Sequence, residues 1–462
     1  MNITWLNTWN ILRKSLLIIL TVLTVFFFLP NKTYATSGNT YTVKSNVDDL
    51  AYPTWGGSQH RQITRDSNSN LYVVYSDTGA GSQMNIFLAK STDQGQTWTS
   101  EAVTTDDSNW QGGPSIAIDG EDNIHVVWNG YTTNSPANNQ IRYRKYTSSW
   151  QPIEELTTEA NRPQEYPSIA IDSQDNIHVA WDGNTAGSPV NYQIRYRKYT
   201  SSWQAIEEIT SNANFDQIWN SIAIDSQDNI HVVWRGAVSG LNASQIRYRE
   251  RTNSWQPIVE LTNDNNNWQD SPAIAIDSQD NIHVVWYGNT VGSPVNNQIR
   301  YRKYTSSWQA IEEITSNANY NQVLPTIALD SHDNIHFAWE GYTANSLAVS
   351  QIRYRKYTSS WQAIEELTSS QNNQINSSII WAEWPRYCNA QTDETKDGFF
   401  VIWSEQIGVW PNITSFNIKD FVSSDLDWQS QSCPESTPAP TPTPNPTSTL
   451  NILPQTGANL NS

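Results

Sequence analysis

Positive charge is scarce in this chain: 27 lysines and arginines face 45 aspartates and glutamates over 462 residues, a formal net charge of −18. A protein that grips a nucleic-acid backbone needs a basic face, so that partner class is excluded. Apolar residues are also few, at 37%, and no 3.6-residue apolar periodicity runs long enough for a helix in the main body. Cysteine occurs only twice, at Cys388 and Cys433. The excess is aromatic, with 22 tryptophans and 21 tyrosines. That argues against disorder along the whole chain and for a polar, β-rich protein.

The long apolar run Ser15 to Leu29 follows Arg13 and Lys14 and precedes Thr33-Tyr34-Ala35. At about 15 residues it falls short of the roughly 18 expected of a spanning helix. Residues 1–35 read as a secretory signal peptide. Its removal takes away Arg13, Lys14 and Lys32 and no acid, giving a mature charge of −21. In an exported chain Cys388 and Cys433 can pair as a disulfide or stand as two thiols.

At roughly 150 residues per domain the length suggests about three domains. Internal repetition replaces that count. DNIHVVW or a close variant ends at Trp128, Trp181, Trp234, Trp286 and Trp339, spaced 53, 53, 52 and 53 apart, with weaker copies ending at Tyr75 and Trp403. Each of the seven units carries four short β patterns; in the third these are 168–172, 176–181, 193–199 and 202–210. β-Branched and aromatic residues fill them, and Asn, Asp, Ser and Gly separate them. The expected fold is all-β: a seven-bladed β-propeller of four-stranded antiparallel blades over residues 40–433. The strand Tyr41 to Ser45 is a candidate to complete the irregular seventh blade. The first-to-second link, DSQDN in most units, reads as a tight hairpin with its Asn in the left-handed position. The second-to-third loops and inter-blade links share the opposite, ligand-binding face.

The third-to-fourth link of the first unit, Ser91-Thr92-Asp93-Gln94-Gly95-Gln96-Thr97-Trp98, matches the S-x-D-x-G-x-T-W Asp-box and resembles the sialidase-like, or BNR-repeat, propeller superfamily. Other blades keep only the tryptophan: Trp150, Trp203, Trp255, Trp308 and Trp361. The resemblance implies the fold. Its chemistry implies an arginine triad, a tyrosine nucleophile assisted by glutamate, and an aspartic acid. The family's early F/Y-R-I-P motif is missing, and Arg61-Gln62-Ile63-Thr64 does not match it. Arginines outside the repeated IRYR strands are Arg61, Arg65, Arg162, Arg235 and Arg386, with Tyr387 and Glu383 or Glu405 as the available nucleophile pair. Those inside the repeats, such as Arg142, Arg144, Arg195 and Arg197, are expected to form cross-strand charge ladders with Glu154-Glu155, Glu207-Glu208, Glu312-Glu313 and Glu365-Glu366.

His125, His178, His231, His283 and His336 recur once per blade, too dispersed to share one ion, and are expected to be structural. The Asp-rich turns lack the alternating carboxylates of a calcium loop, so no cofactor is expected, and a structural calcium is the open alternative without a motif to support it.

Where the near-identical repeats differ, a ligand surface is expected. After each strand tryptophan stand Asn129, Asp182, Arg235, Tyr287 and Glu340, each followed by Gly. The inter-blade links carry Gln111, Gln164, Gln217, Gln269 and Gln322, with Gln374 in the same register, beside Trp110, Tyr166, Phe215, Trp219, Trp268 and Tyr320. An amide next to an aromatic face suits a sugar, whose C–H face stacks while its hydroxyls bond the amide. Beyond Cys433 a Pro/Thr-rich stalk (434–452) leads to 453–462, where Leu453-Pro454-Gln455-Thr456-Gly457 matches the LPxTG sortase signal, without the usual apolar segment and basic tail. The resemblance implies covalent attachment to a bacterial cell wall through Thr456, with Gly457 leaving. The whole reads as a monomeric, non-catalytic propeller, secreted or wall-attached, binding extracellular carbohydrate or a surface protein. A sialidase-like exo-glycosidase and a protein-binding scaffold are the alternatives.

Overall fold

In a computed structural model of the chain, the described residues run from 38 to 423, apart from 48–61, 80–81, 107, 212–213, 238–239, 241–242, 265, 317–318, 389–390 and 408–414; the side chains of 294, 382–388, 391–397 and 416 are outside the description. Seven four-stranded antiparallel sheets form the blades, as the repeat predicts. Blade three is typical, with strands Gln164–Ile171, Ile177–Gly183, Gln193–Tyr199 and Glu207–Glu208. Its outermost strand is two residues long, not the nine the sequence pattern predicts. Only Glu207 and Glu208 pair with Tyr196 and Arg195, while Trp203 joins Tyr199 through an isolated bridge. A short outer edge offers little backbone to a passing strand.

The ring closes through its two ends. Gly38–Val47 pairs with Ser415–Ser423 and becomes the outer strand of blade seven, beside Gln374–Cys388 and Gln391–Ile407. In that blade the first-to-second connection is a long backbone hairpin paired out to Cys388 and Gln391, where the other blades turn within DSQDN.

The apolar core lies between blades. Val127, Ile141, Tyr143 and Leu156 of blade two pack on Ile169, Ile177, Val179 and Trp181 of blade three, and the same arrangement recurs between later blades. Trp128, Trp181, Trp234, Trp286 and Trp339 are all fully buried. That is why a strand ending in Trp repeats: each ring is the largest filler of one inter-blade layer, and truncating such a residue costs about 3–5 kcal/mol.

The DSQD turns lock the blades at one face. The left-handed residue is the second Asp, not the Asn: Asp122, Asp175, Asp228, Asp280 and Asp333 have φ near +60°. Each reaches back to the preceding blade, as Asp228 does in accepting from the Ser173 N–H and Oγ at 2.9 Å. The first Asp accepts from its own turn and from the blade histidine. His178 lies between Asp172 (3.0 Å) and the Tyr196 hydroxyl (2.7 Å), and burial pushes it down to about 4. It is therefore neutral at physiological pH and structural, as expected. No group of three or more metal-ligating side chains occurs among the described residues.

Candidate functional site

The glutamines of the inter-blade links are inside the protein. Gln111, Gln164, Gln217, Gln269 and Gln322 are 0% exposed. In blade three, Gln164 Oε1 accepts from Trp181 Nε1 at 2.7 Å and Arg195 Nη1 at 3.0 Å, while Nε2 donates to the Asn184 carbonyl at 3.0 Å. The same tryptophan bond holds Gln111, Gln217, Gln269 and Gln322 at 2.7 to 2.8 Å. This corrects the expectation that these amides face a ligand. A buried indole N–H requires an acceptor, and a periodic amide beside a tryptophan serves that need as readily as it serves a sugar. The glycine after each variable position follows from the same contact, because a Cβ on Gly183 would lie 2.0 Å from Gln164 Oε1.

The repeated arginines also differ from expectation. The first of each IRYR pair lies over the blade tryptophan and donates to the glutamine, as Arg195 does with Trp181 and Gln164. The second ties blades together: Arg197 Nη1 donates to the Leu156 carbonyl of the blade before it at 2.6 Å. Arg247 also pairs with Glu260 of the neighbouring strand at 2.7 Å, in the manner of the expected cross-strand ladder.

The variable position after the tryptophan is an inter-blade latch. In the next blade the innermost strand bulges, with Tyr166, Trp219, Ser271, Leu324 and Asn376 in the left-handed region. Asn129 Oδ1 accepts from the Tyr166 N–H at 3.3 Å. Asp182 accepts from the Trp219 N–H at 2.7 Å and Asn220 Nδ2 at 2.8 Å. Glu340 accepts from the Asn376 N–H. Burial pushes Asp182 and Glu340 up to about 8, so both are largely protonated at neutral pH. Their side chains belong to the interior, which corrects their placement at the ligand face. Arg235 instead pairs with Asp270 at 2.5 Å and lies over the Trp268 ring at 5.8 Å, while Tyr287 is half-buried.

The aromatic candidates stay at or near the surface. Trp268 is 51% exposed. Tyr320 and Phe215 are half-buried, and Tyr166 and Trp219 meet with ring centroids 4.7 Å apart.

One inter-blade notch opens into a cavity of about 440 Å³ between blades one, two and three, walled by Trp110, Tyr131, Asn129, Asn139, Glu165 and Tyr166. Its opening follows from two residues. At the bulge where other blades carry Glu165-Tyr166, Ile218-Trp219, Asp270-Ser271 or Val323-Leu324, blade two carries Gly112-Gly113. The Trp110 ring occupies the freed space: a Cβ on Gly112 would meet it at 2.5 Å. Trp110 and Tyr131 form a tilted pair with centroids 6.2 Å apart. Glu165 accepts from Asn139 Nδ2 at 3.0 Å and from the Tyr192 hydroxyl at 3.1 Å. Asn139 is buried, and its Oδ1 takes no hydrogen bond. Sequence reasoning found Trp110, Asn129 and Tyr166 here and missed Gly112, Gly113, Tyr131, Asn139 and Glu165. The double glycine, set against the other repeats, was the available signal.

The irregular arginines do not meet among the described residues. Arg162 pairs with Glu159, Arg235 with Asp270, and Arg65 lines a cavity of about 550 Å³ shared with Ile171, Ile224, Ile276, Asp330 and Ser331. Arg61 and the side chains of Glu383, Arg386 and Tyr387 lie outside the described residues, as do the Cys388–Cys433 pairing, residues 1–35 and everything after 423.

Seven blades and inter-blade tryptophan layers define a seven-bladed β-propeller, with an Asp-box sequence in one of its turns. A family model described as "BNR repeat-containing family member" matches residues 104–256, within blades two to four. Among solved structures, an ulvan lyase of polysaccharide lyase family PL25 aligns at 13% identity with a TM-score of 0.56, covering 84% of this chain and 96% of its own. The same lyase bound to -[GlcA(1-4)Rha3S]- gives 0.55 at 13% identity, with the same coverage. The polysaccharide lyase Uly1 gives 0.50 at 6% identity, covering 84% and 99%. At such identities the likeness is one of fold. A search of curated proteins finds no match.

Proposed function

We propose that this protein is an exported carbohydrate-binding propeller that holds a glycan in the cavity between Trp110, Tyr131 and Glu165 without cleaving it. The observation that carries the reading is the cavity itself: two aromatic faces beside a carboxylate and a buried amide, opened by Gly112-Gly113 in one blade only. Aromatic rings supply the apolar face against which a sugar's C–H groups stack, and the polar groups fix its hydroxyls. Separate carboxylate partners for Arg162 and Arg235 favour binding over sialidase-type catalysis. The signal-like N-terminus and the LPQTG tail favour display at a bacterial surface, with export and wall attachment as parts of the same proposal. A glycan array probed with the folded protein, followed by titration of the best ligand, tests the reading. Binding that falls at least tenfold in Trp110→Ala supports it; no binding to any glycan overturns it.

A further inference from the structure

We infer that the cavity takes an uncharged, hydroxyl-bearing sugar residue that donates a hydrogen bond to Asn139 Oδ1, and that it discriminates against uronate and sulfated sugars. The inference rests on the carbohydrate reading above and specifies its ligand class.

Three observations carry it. Asn139 is buried to more than nine-tenths, and its Oδ1 has no donor although its amide nitrogen is fixed on Glu165 at 3.0 Å. A buried acceptor without a partner is costly, and a ligand that supplies a donor recovers that cost. A sugar hydroxyl can donate; a carboxylate or sulfate ester cannot.

Glu165 supplies the second observation. Both its oxygens are engaged by donors, Asn139 Nδ2 and the Tyr192 hydroxyl, so its carboxylate is held at the cavity wall. An anionic sugar would meet it with like charge in a partly desolvated space, where repulsion is stronger than in water.

The third is the cavity's charge. No Lys, Arg or His is among its described lining residues, and the chain as a whole carries −18. Recognition of a carboxylate or sulfate draws on cationic forks such as Arg, and the described wall has none. The contrast with the notch between blades four and five is internal to the molecule: there Arg235 stands beside Trp268, whereas the equivalent position beside Trp110 is Ser76.

The test is a matched titration of the full chain with neutral gluco-, xylo-, manno- and galacto-oligosaccharides and with oligogalacturonate, oligoglucuronate and a sulfated galactan oligomer. The expected result is at least tenfold tighter binding of a neutral oligomer than of any anionic one. Asn139→Ala should weaken the neutral ligand at least tenfold. Glu165→Gln, which keeps one acceptor oxygen for Asn139 Nδ2 and turns its NH2 toward the Tyr192 hydroxyl, which can accept, should narrow the neutral-to-anionic ratio at least threefold, and it provides a second reading if Asn139→Ala unfolds. Tighter or equal binding of an anionic oligomer overturns this inference and leaves the carbohydrate reading standing. Binding to neither set overturns both.

Discussion

Trp98 Nε1 of the Asp-box donates to Asp420 Oδ2 at 3.3 Å, joining the first blade to the last across 322 residues of chain. The box folds around Asp93, whose Oδ1 accepts from the Thr97 N–H and the Ser91 hydroxyl at 2.8 Å. That turn delivers the indole and Gly95 to the seam. A Cβ on Gly95, at φ +83°, would stand 2.5 Å from Asp420 Oδ2. Gly95→Ala should therefore destabilise the propeller by about 2–4 kcal/mol through backbone strain and overpacking at one contact. Chemical denaturation checks this; a loss below about 0.5 kcal/mol would show that the seam carries no such constraint.

Stability should fall as pH rises from 6.5 to 9. Glu340 and Asp182 are pushed up to about 8 by burial, against ordinary values near 4 in the unfolded chain. Between those values the folded state holds protons the unfolded chain has released, so the stability they contribute is present at low pH and lost as pH passes 8. Asp420, raised to about 7, adds to the same trend. His178, pushed down to about 4, acts oppositely below its ordinary value of 6.5, which sets the lower limit of the window. Glu340→Gln keeps the acceptor for the Asn376 N–H and removes the titration. It should flatten the decline by up to about 2 kcal/mol, as measured by denaturant midpoints at pH 6.5 and 9. Parallel slopes in the two proteins would count against it.

Replacing a buried glutamine should harm the fold rather than a ligand surface. Gln164→Leu leaves the Trp181 N–H and one Arg195 donor unpaired, a cost of about 2–4 kcal/mol. Gly183→Ala, which would drive a methyl into the same amide, should cost about 1–3 kcal/mol or more. Thermal unfolding reads both; unchanged midpoints would return the glutamines to the surface role their spacing suggests.

Ring and cavity were not equally legible in the sequence. The return of Trp128, Trp181, Trp234 and Trp286 every 52 or 53 residues prescribes blades because a buried tryptophan must be met once per layer, and the strand Tyr41 to Ser45 was readable as the seal of blade seven. Gln111 and its equivalents were misassigned because periodicity records that a side chain is needed at each repeat, not which way it faces. Asp182 and Glu340 read as a variable surface for a similar reason: a buried latch changes residue type with its partner in the next blade. Asn139 could not be singled out, since only the folded structure shows its oxygen buried without a donor.

Gly112→Ala should close the cavity from within. Its added methyl meets the Trp110 ring at 2.5 Å and must displace it, so glycan binding should drop at least tenfold with a much smaller change in thermal midpoint than Gly183→Ala produces. Trp268→Ala, at a 51% exposed ring outside the cavity, should leave both nearly unchanged. Loss of binding in Trp268→Ala alone would move the site to the notch between blades four and five.

The outer strand of blade seven also fixes an order in time. Tyr41 bonds Asp420 across 379 residues, so a chain emerging N-terminus first presents Gly38–Val47 long before its partner Ser415–Ser423 exists outside the ribosome. At about 5–20 residues per second that interval is roughly 20–75 s. During it the first strand has no sheet to join, and six blades can form while the seventh waits for both termini. The ring therefore stays open at blade seven until residues 415–423 arrive.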